Sequence, residues 1–109
     1  DAHPSISERA EILRRTDFYL QLLARGRLLP AYNLHSDDFR EQVSYPDWRR
    51  RVLSRWNSDA EPVEIRWRQG LHRFEGPELY AIVILSSSAH QLIWRQDGYG
   101  GFVLESAEP

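Results

Sequence analysis

Leu79-Tyr80-Ala81-Ile82-Val83-Ile84-Leu85 is an unbroken apolar run with no charged side chain at either parity. Side chains alternate between the two faces of a strand, so a strand that is apolar at every position needs cover on both faces. A run this short falls well below the roughly 20 residues of a membrane-spanning helix and suits a single strand. The expectation is a central strand. With Leu79, Ala81, Val83 and Leu85 against one layer, Tyr80, Ile82 and Ile84 require a second cover. That cover is a helix on each side of the sheet, a partner, or a second copy of the chain.

The flanking sequence supplies neighbours for that strand. Val63, Ile65 and Trp67 alternate with Glu64, Arg66 and Arg68, the period-two pattern of a half-buried strand. Glu75, Gly76 and Pro77 read as the turn into the apolar run. Residues 90–96 form a further strand, and Asp97-Gly98 is a hairpin signal leading to a strand over 99–105. Ile93, with Phe102 and Leu104 or else Val103, extends the second apolar face.

The first half is helical in pattern. Ser5 with Glu8 fits a capping box, Ala10, Leu13, Leu20 and Ala24 recur at helical spacing, and Gly26 marks a stop. Phe18, Tyr19, Leu20, Leu22 and Leu23 make the end of this helix apolar around much of its circumference, so it should be deeply buried or covered by a partner. After Leu28, Leu29 and Pro30 the chain reads as extended. Ser36, Asp37 and Asp38 cap a short helix, and Pro46 begins another with a Trp48, Val52, Trp56 stripe and Leu53 beside it. The expected fold is α+β, a single domain over 1–109. Helices at about 6–25, 37–43 and 46–56 pack on an antiparallel sheet of strands at about 63–69, 78–86, 90–96 and 99–105.

Composition removes whole classes of chemistry. The 14 basic residues are all arginine, and there is no lysine, cysteine or methionine. A lysine Schiff base, a phosphate-loop lysine, a thiolate nucleophile, a disulfide and a cysteine-ligated zinc are therefore excluded. The net charge of −2 gives no overall pull toward nucleic acid or membrane. The missing initiator methionine reads as a processed or trimmed chain, and the expected location is cytoplasmic. A cleaved signal peptide would leave no trace.

Every tryptophan adjoins an arginine, an interleaving also found where single-stranded nucleic acid is bound. Adjacent residues on a strand or helix diverge, however, so the tryptophans go inward and the arginines outward. What remains is a basic segment, Arg49, Arg50, Arg51, Arg55, Arg66, Arg68 and Arg73, suited to bidentate contacts with carboxylate or phosphate. His3, His35, His72 and His90 show no metal-ligand spacing, and no metal or cofactor is expected. His72 beside Arg73, or His90 after Ser86, Ser87 and Ser88, is the candidate base of a small metal-free enzyme acting on an anionic substrate. Gly98, Gly100 and Gly101 enter a strand rather than a helix, so they are not a phosphate loop.

The leading expectation is a non-enzymatic protein-binding module of the adaptor, inhibitor, immunity or chaperone type. Its contact surface is the apolar sheet face, with Tyr80, Ile82 and Ile84, or else the apolar end of the first helix, rimmed by Arg49, Arg50, Arg55, Arg66, Arg68 and Arg73. The partner is another protein of acidic character or a second copy. Nucleic acid on the Arg49–Arg73 segment is the first alternative and the histidine–arginine enzyme the second.

Overall fold

The computed structural model describes residues 6–56, 60–71, 74–86, 91–96 and 101–108. Four helices, α1 (Ile6–Ala24), α2 (Leu28–Tyr32), α3 (Asp37–Gln42) and α4 (Tyr45–Arg55), precede four strands, β1 (Pro62–Leu71), β2 (Phe74–Leu85), β3 (Gln91–Gln96) and β4 (Phe102–Glu108). The strands form one antiparallel meander in the order β1-β2-β3-β4. The chain is α+β, with the helices first and the sheet after them, and the apolar run lies inside the sheet on β2.

Helix α1 is tied to the far half of the sheet at three places. Trp94 Nε1 donates to Thr16 Oγ1 at 3.1 Å in the core, Arg15 Nη1 donates to the Phe102 carbonyl at 2.9 Å, and Gln96 Nε2 donates to Glu8 Oε2 at 3.2 Å. Its buried side is Ile12, Thr16, Tyr19, Leu22 and Leu23, whereas Phe18 is exposed and Leu13 and Ala24 also face outward. This corrects the stripe of Ala10, Leu13, Leu20 and Ala24. The true face runs through a threonine, which an apolar pattern passes over and whose hydroxyl the buried indole N–H requires. Ser5 lies outside the described residues. Glu8, its expected capping partner, accepts from Gln96 on β3.

The chain after Pro30 does not begin extended, because Leu28–Tyr32 form the one-turn helix α2. Pro30 sits in the first turn, where no intrahelical N–H is needed, so it does not oppose the helix. Leu28, Ala31 and Tyr32 are buried by it. Ser36 caps α3 by accepting from Phe39 N at 3.2 Å, and Ser44 caps α4 by accepting from Asp47 N at 3.4 Å.

The segment before α3 also closes one edge of the sheet. His35 bridges Leu104 in parallel, with Ser36 N donating to the Leu104 carbonyl at 2.8 Å. Opposite it, the β3–β4 register slips so that Glu105 has no Cα partner between Leu104 and Ser106. This bulge leaves Glu105 buried, accepting from Arg95 Nε at 2.6 Å and from Ser36 Oγ at 3.1 Å. One carboxylate thus joins β3, β4 and the cap of α3.

The turn expected at Glu75, Gly76 and Pro77 is instead part of β2. The β1–β2 register runs from Gln69↔Leu79 to Leu71↔Phe74, so β2 spends more residues than β1 over this stretch. Such an irregularity holds a proline and a glycine that a regular ladder rejects. Strand β4 begins at Phe102 rather than 99, and the Asp97-Gly98 signal lies outside the described residues.

Replacing Glu105 by alanine strips an acceptor from Arg95 and Ser36 together. The expected loss is about 2 kcal/mol of unfolding free energy in urea denaturation, with Glu105→Gln losing about half as much. A loss under about 0.5 kcal/mol for Glu105→Ala contradicts the bracing role.

Candidate functional site

The register sorts β2 cleanly. Ala81, Val83 and Leu85 share one core cluster with Leu92, Trp94, Phe102 and Leu104 of the sheet and Ile12, Tyr19 and Trp48 of the helices. Ile65 and Trp67 of β1 pack against the same cluster, so Phe102 and Leu104 face the helices. The opposite face carries Arg66, Ile82 and Ile93 in one row, Arg68, Tyr80, Arg95 and Val103 in the next, and Glu64, Ile84 and Gln91 in a third. Val103, rather than Phe102 and Leu104, therefore extends the second apolar face.

Ile82, Ile84, Ile93 and Val103 are half-buried and stand outside the core cluster that the helices share with the sheet. Tyr80 is fully buried, so it underlies this face rather than offering contact surface. Arg66 Nε donates to Glu64 Oε2 at 2.9 Å and Arg95 to Glu105, while Arg68 makes no ion pair among the described residues. The result is an aliphatic centre bordered by guanidinium groups.

The basic segment is divided. Arg49, Arg50, Arg51 and Arg55 are exposed on α4, in the helical layer, whereas Arg66 and Arg68 project from the sheet face turned away from that layer. The fold therefore does not gather them into one patch. Arg73, His72 and His90 lie outside the described residues, as do Gly98 and Gly100. Among the described residues no group of three or more histidine, aspartate and glutamate side chains is placed to hold a metal, and no helix is long and apolar enough to cross a membrane.

One buried feature had no sequence signal. His35, flanked by ordinary loop residues, stacks on Phe39 with ring centroids 4.3 Å apart, and meets Tyr19 and Trp48 edge to face at 5.5 Å each. Tyr32 adds contacts to Tyr45 and Trp48 at 5.4 Å, making an aromatic layer between α1, α2, α3 and α4. His35 Nδ1 lies 3.0 Å from the Tyr32 carbonyl, which only accepts, so Nδ1 carries the proton and Nε2 presents a lone pair. Tyr19 Oη, Trp48 Nε1 and His35 Nε2 are all buried without a well-formed hydrogen bond, although the indole N–H is close enough to the phenol to favour its ionised form slightly. Burial dominates and pushes the Tyr19 phenol well above its ordinary value. Burial is likewise the main cause holding the His35 imidazole down to about 4, opposed by backbone hydrogen bonds to Tyr32 and Ala31 and reinforced by the nearby charge of Arg40. A neutral imidazole sealed in an aromatic layer, with no opening to solvent, braces the helices and is not placed to act as a general base.

The fold is thus a helical layer on one face of a four-stranded meander, with an aliphatic, arginine-bordered surface on the other. No protein-family model matches this chain, and no curated protein or solved structure matches it either.

The depressed imidazole fixes the sign of a pH effect. Between pH 6.5 and about 4 the unfolded chain takes up a proton at His35 that the folded protein refuses. The contribution is complete above pH 6.5, shrinks as pH falls through that window and is gone below pH 4, a total of about 3 kcal/mol. Urea denaturation of the native chain and of His35→Phe at pH 7.5 and pH 4 should show this extra slope in the native chain alone. Parallel pH dependences in the two would contradict it.

Proposed function

We propose that this chain is a non-enzymatic protein-binding module, and that its contact surface is the face of the sheet turned away from the helices. The observation that supports this reading is the cluster of Ile82, Ile84, Ile93 and Val103, which belongs to no core within the described residues. A contiguous aliphatic surface rimmed by polar groups is the anatomy of a protein interface, with the apolar centre excluding water and the charges selecting the partner.

The rim sets the character of that partner. Arg66, Arg68 and Arg95 border the face against Glu64 and Glu105, and both glutamates are engaged by arginines already. A second copy of the same face would bring the same excess of arginine opposite it, so the fitting occupant is a different protein with an apolar centre and an acidic border. The guanidinium of Arg68, with no ion pair among the described residues, is placed to take a partner carboxylate.

Two substitutions test the assignment. Ile82→Asp sets a charge in the centre of the face, and Leu29→Asp makes the same change at an exposed position of α2. A partner retained by the native chain and by Leu29→Asp should bind Ile82→Asp at least about 30-fold more weakly, with the variant still folded by circular dichroism. Equal binding by a folded Ile82→Asp, or light scattering that shows a dimer broken by this substitution, overturns the reading of a different acidic partner.

A further inference from the structure

Helix α4 carries a second surface, separate from the sheet face. Its inward side holds Trp48, which is buried, and Val52, which is half-buried. Its outward side lines a concavity of about 680 Å³ between Tyr45, Pro46, Arg49, Arg50, Leu53 and Ser54. A neighbouring concavity of about 420 Å³ lies among Asp47, Arg50, Arg51, Ser54 and Arg55. These lining sets follow the helical repeat. Residues 45, 49 and 53 lie one turn apart along one side, with 46, 50 and 54 beside them.

Two properties of this groove point the same way. Its floor is apolar: Leu53 is 63% exposed between Arg49 and Arg50, with Tyr45 and Pro46 beside it at the start of the helix. Its walls are basic: Arg49 makes no ion pair among the described residues and Arg50 pairs with Asp47 at 2.5 Å, the one acid of the helix, while Arg51 and Arg55 line the neighbouring concavity. A chain of overall charge −2 therefore concentrates guanidinium groups around an exposed leucine.

We propose that the outward groove of α4 docks an acidic peptide segment, seating a bulky apolar side chain on Tyr45, Pro46 and Leu53 and its carboxylates on Arg49 and Arg50. The occupant is a peptide rather than a nucleic acid because the floor calls for an aliphatic group, which a phosphodiester backbone lacks. The helix also offers one aromatic ring, Tyr45, where single-strand binding uses successive stacking platforms. Arg66 and Arg68, which would lengthen a nucleic-acid track, face away on the sheet. Guanidinium groups on a rigid helix suit carboxylates bidentately, and a shallow apolar slot sets the register of an amphipathic segment.

The probe is a synthetic peptide of about 12 residues with leucines four apart among aspartates and glutamates. A leucine-to-serine version and a single-stranded DNA of equal length are the comparisons. Amide chemical-shift mapping should place the peptide on residues 45–55, with the serine version at least about 10-fold weaker and the DNA weaker still. Leu53→Asp and Arg49→Glu, both at exposed positions, should each reduce peptide affinity about 10-fold or more, while Ile82→Asp leaves it unchanged. That last variant separates this groove from the sheet face, so either surface can fail alone. DNA binding at α4 as tight as the peptide's, indifference to the leucines, shifts on the sheet instead of α4, or no saturation by about 1 mM peptide each overturns the proposal.

Discussion

The constraint on which the structure depends is that β2 is apolar on both of its faces. Its inward side chains, Ala81, Val83 and Leu85, are buried against a layer built from helices that precede it in the chain. Meeting the first demand uses that layer on one side of the sheet, and the second demand falls on whatever meets Ile82 and Ile84. The asymmetry is built into the meander. Consecutive strands pair antiparallel and lie side by side, unlike those of a parallel sheet, whose connections bring helices to its faces.

The helical layer is held in place by polar contacts that apolar patterning does not reveal. Thr16 receives the indole N–H of Trp94, and Glu105 joins β3, β4 and the α3 cap. His35 sits neutral among four aromatic side chains. These groups fix where the helices sit on the sheet, and so fix which face is left over. The rigid aromatic layer also sets α4 with Trp48 inward, and that choice turns Arg49, Arg50 and Leu53 outward.

The element order, the central strand, the inward side of Trp67, the cap at Ser36 and the helix start at Pro46 were legible in the sequence, because each rests on a local period, a local hydrogen bond or a proline at a helix start. The face of α1 was not, since the buried position is a threonine whose partner lies on β3, far along the chain. Helix α2 was hidden because Pro30 signals a break unless it falls in a first turn. The strand through Gly76 and Pro77 was hidden because a bulge tolerates residues that propensity rejects. For the candidate surfaces, period-two alternation placed Ile82 and Ile84 correctly, but Tyr80 shares their parity and is nonetheless buried. The basic segment looked continuous because sequence adjacency does not show that α4 and β1 present their arginines on different sides. The exposure of Leu53 escaped notice because a leucine beside an apolar stripe reads as part of it.

Partial accessibility of Ile82, Ile84 and Ile93 in the isolated chain is tested most directly by isoleucine methyl relaxation with a soluble paramagnetic probe. Ile6 and Ile12, at 88% and 0% exposure, are internal standards for open and sealed methyls. The account predicts that Ile82, Ile84 and Ile93 are broadened by the probe to a degree between these standards, and clearly more than Ile12. Methyls at all three positions as protected as Ile12 would mean that the chain covers this face itself, and would contradict the account.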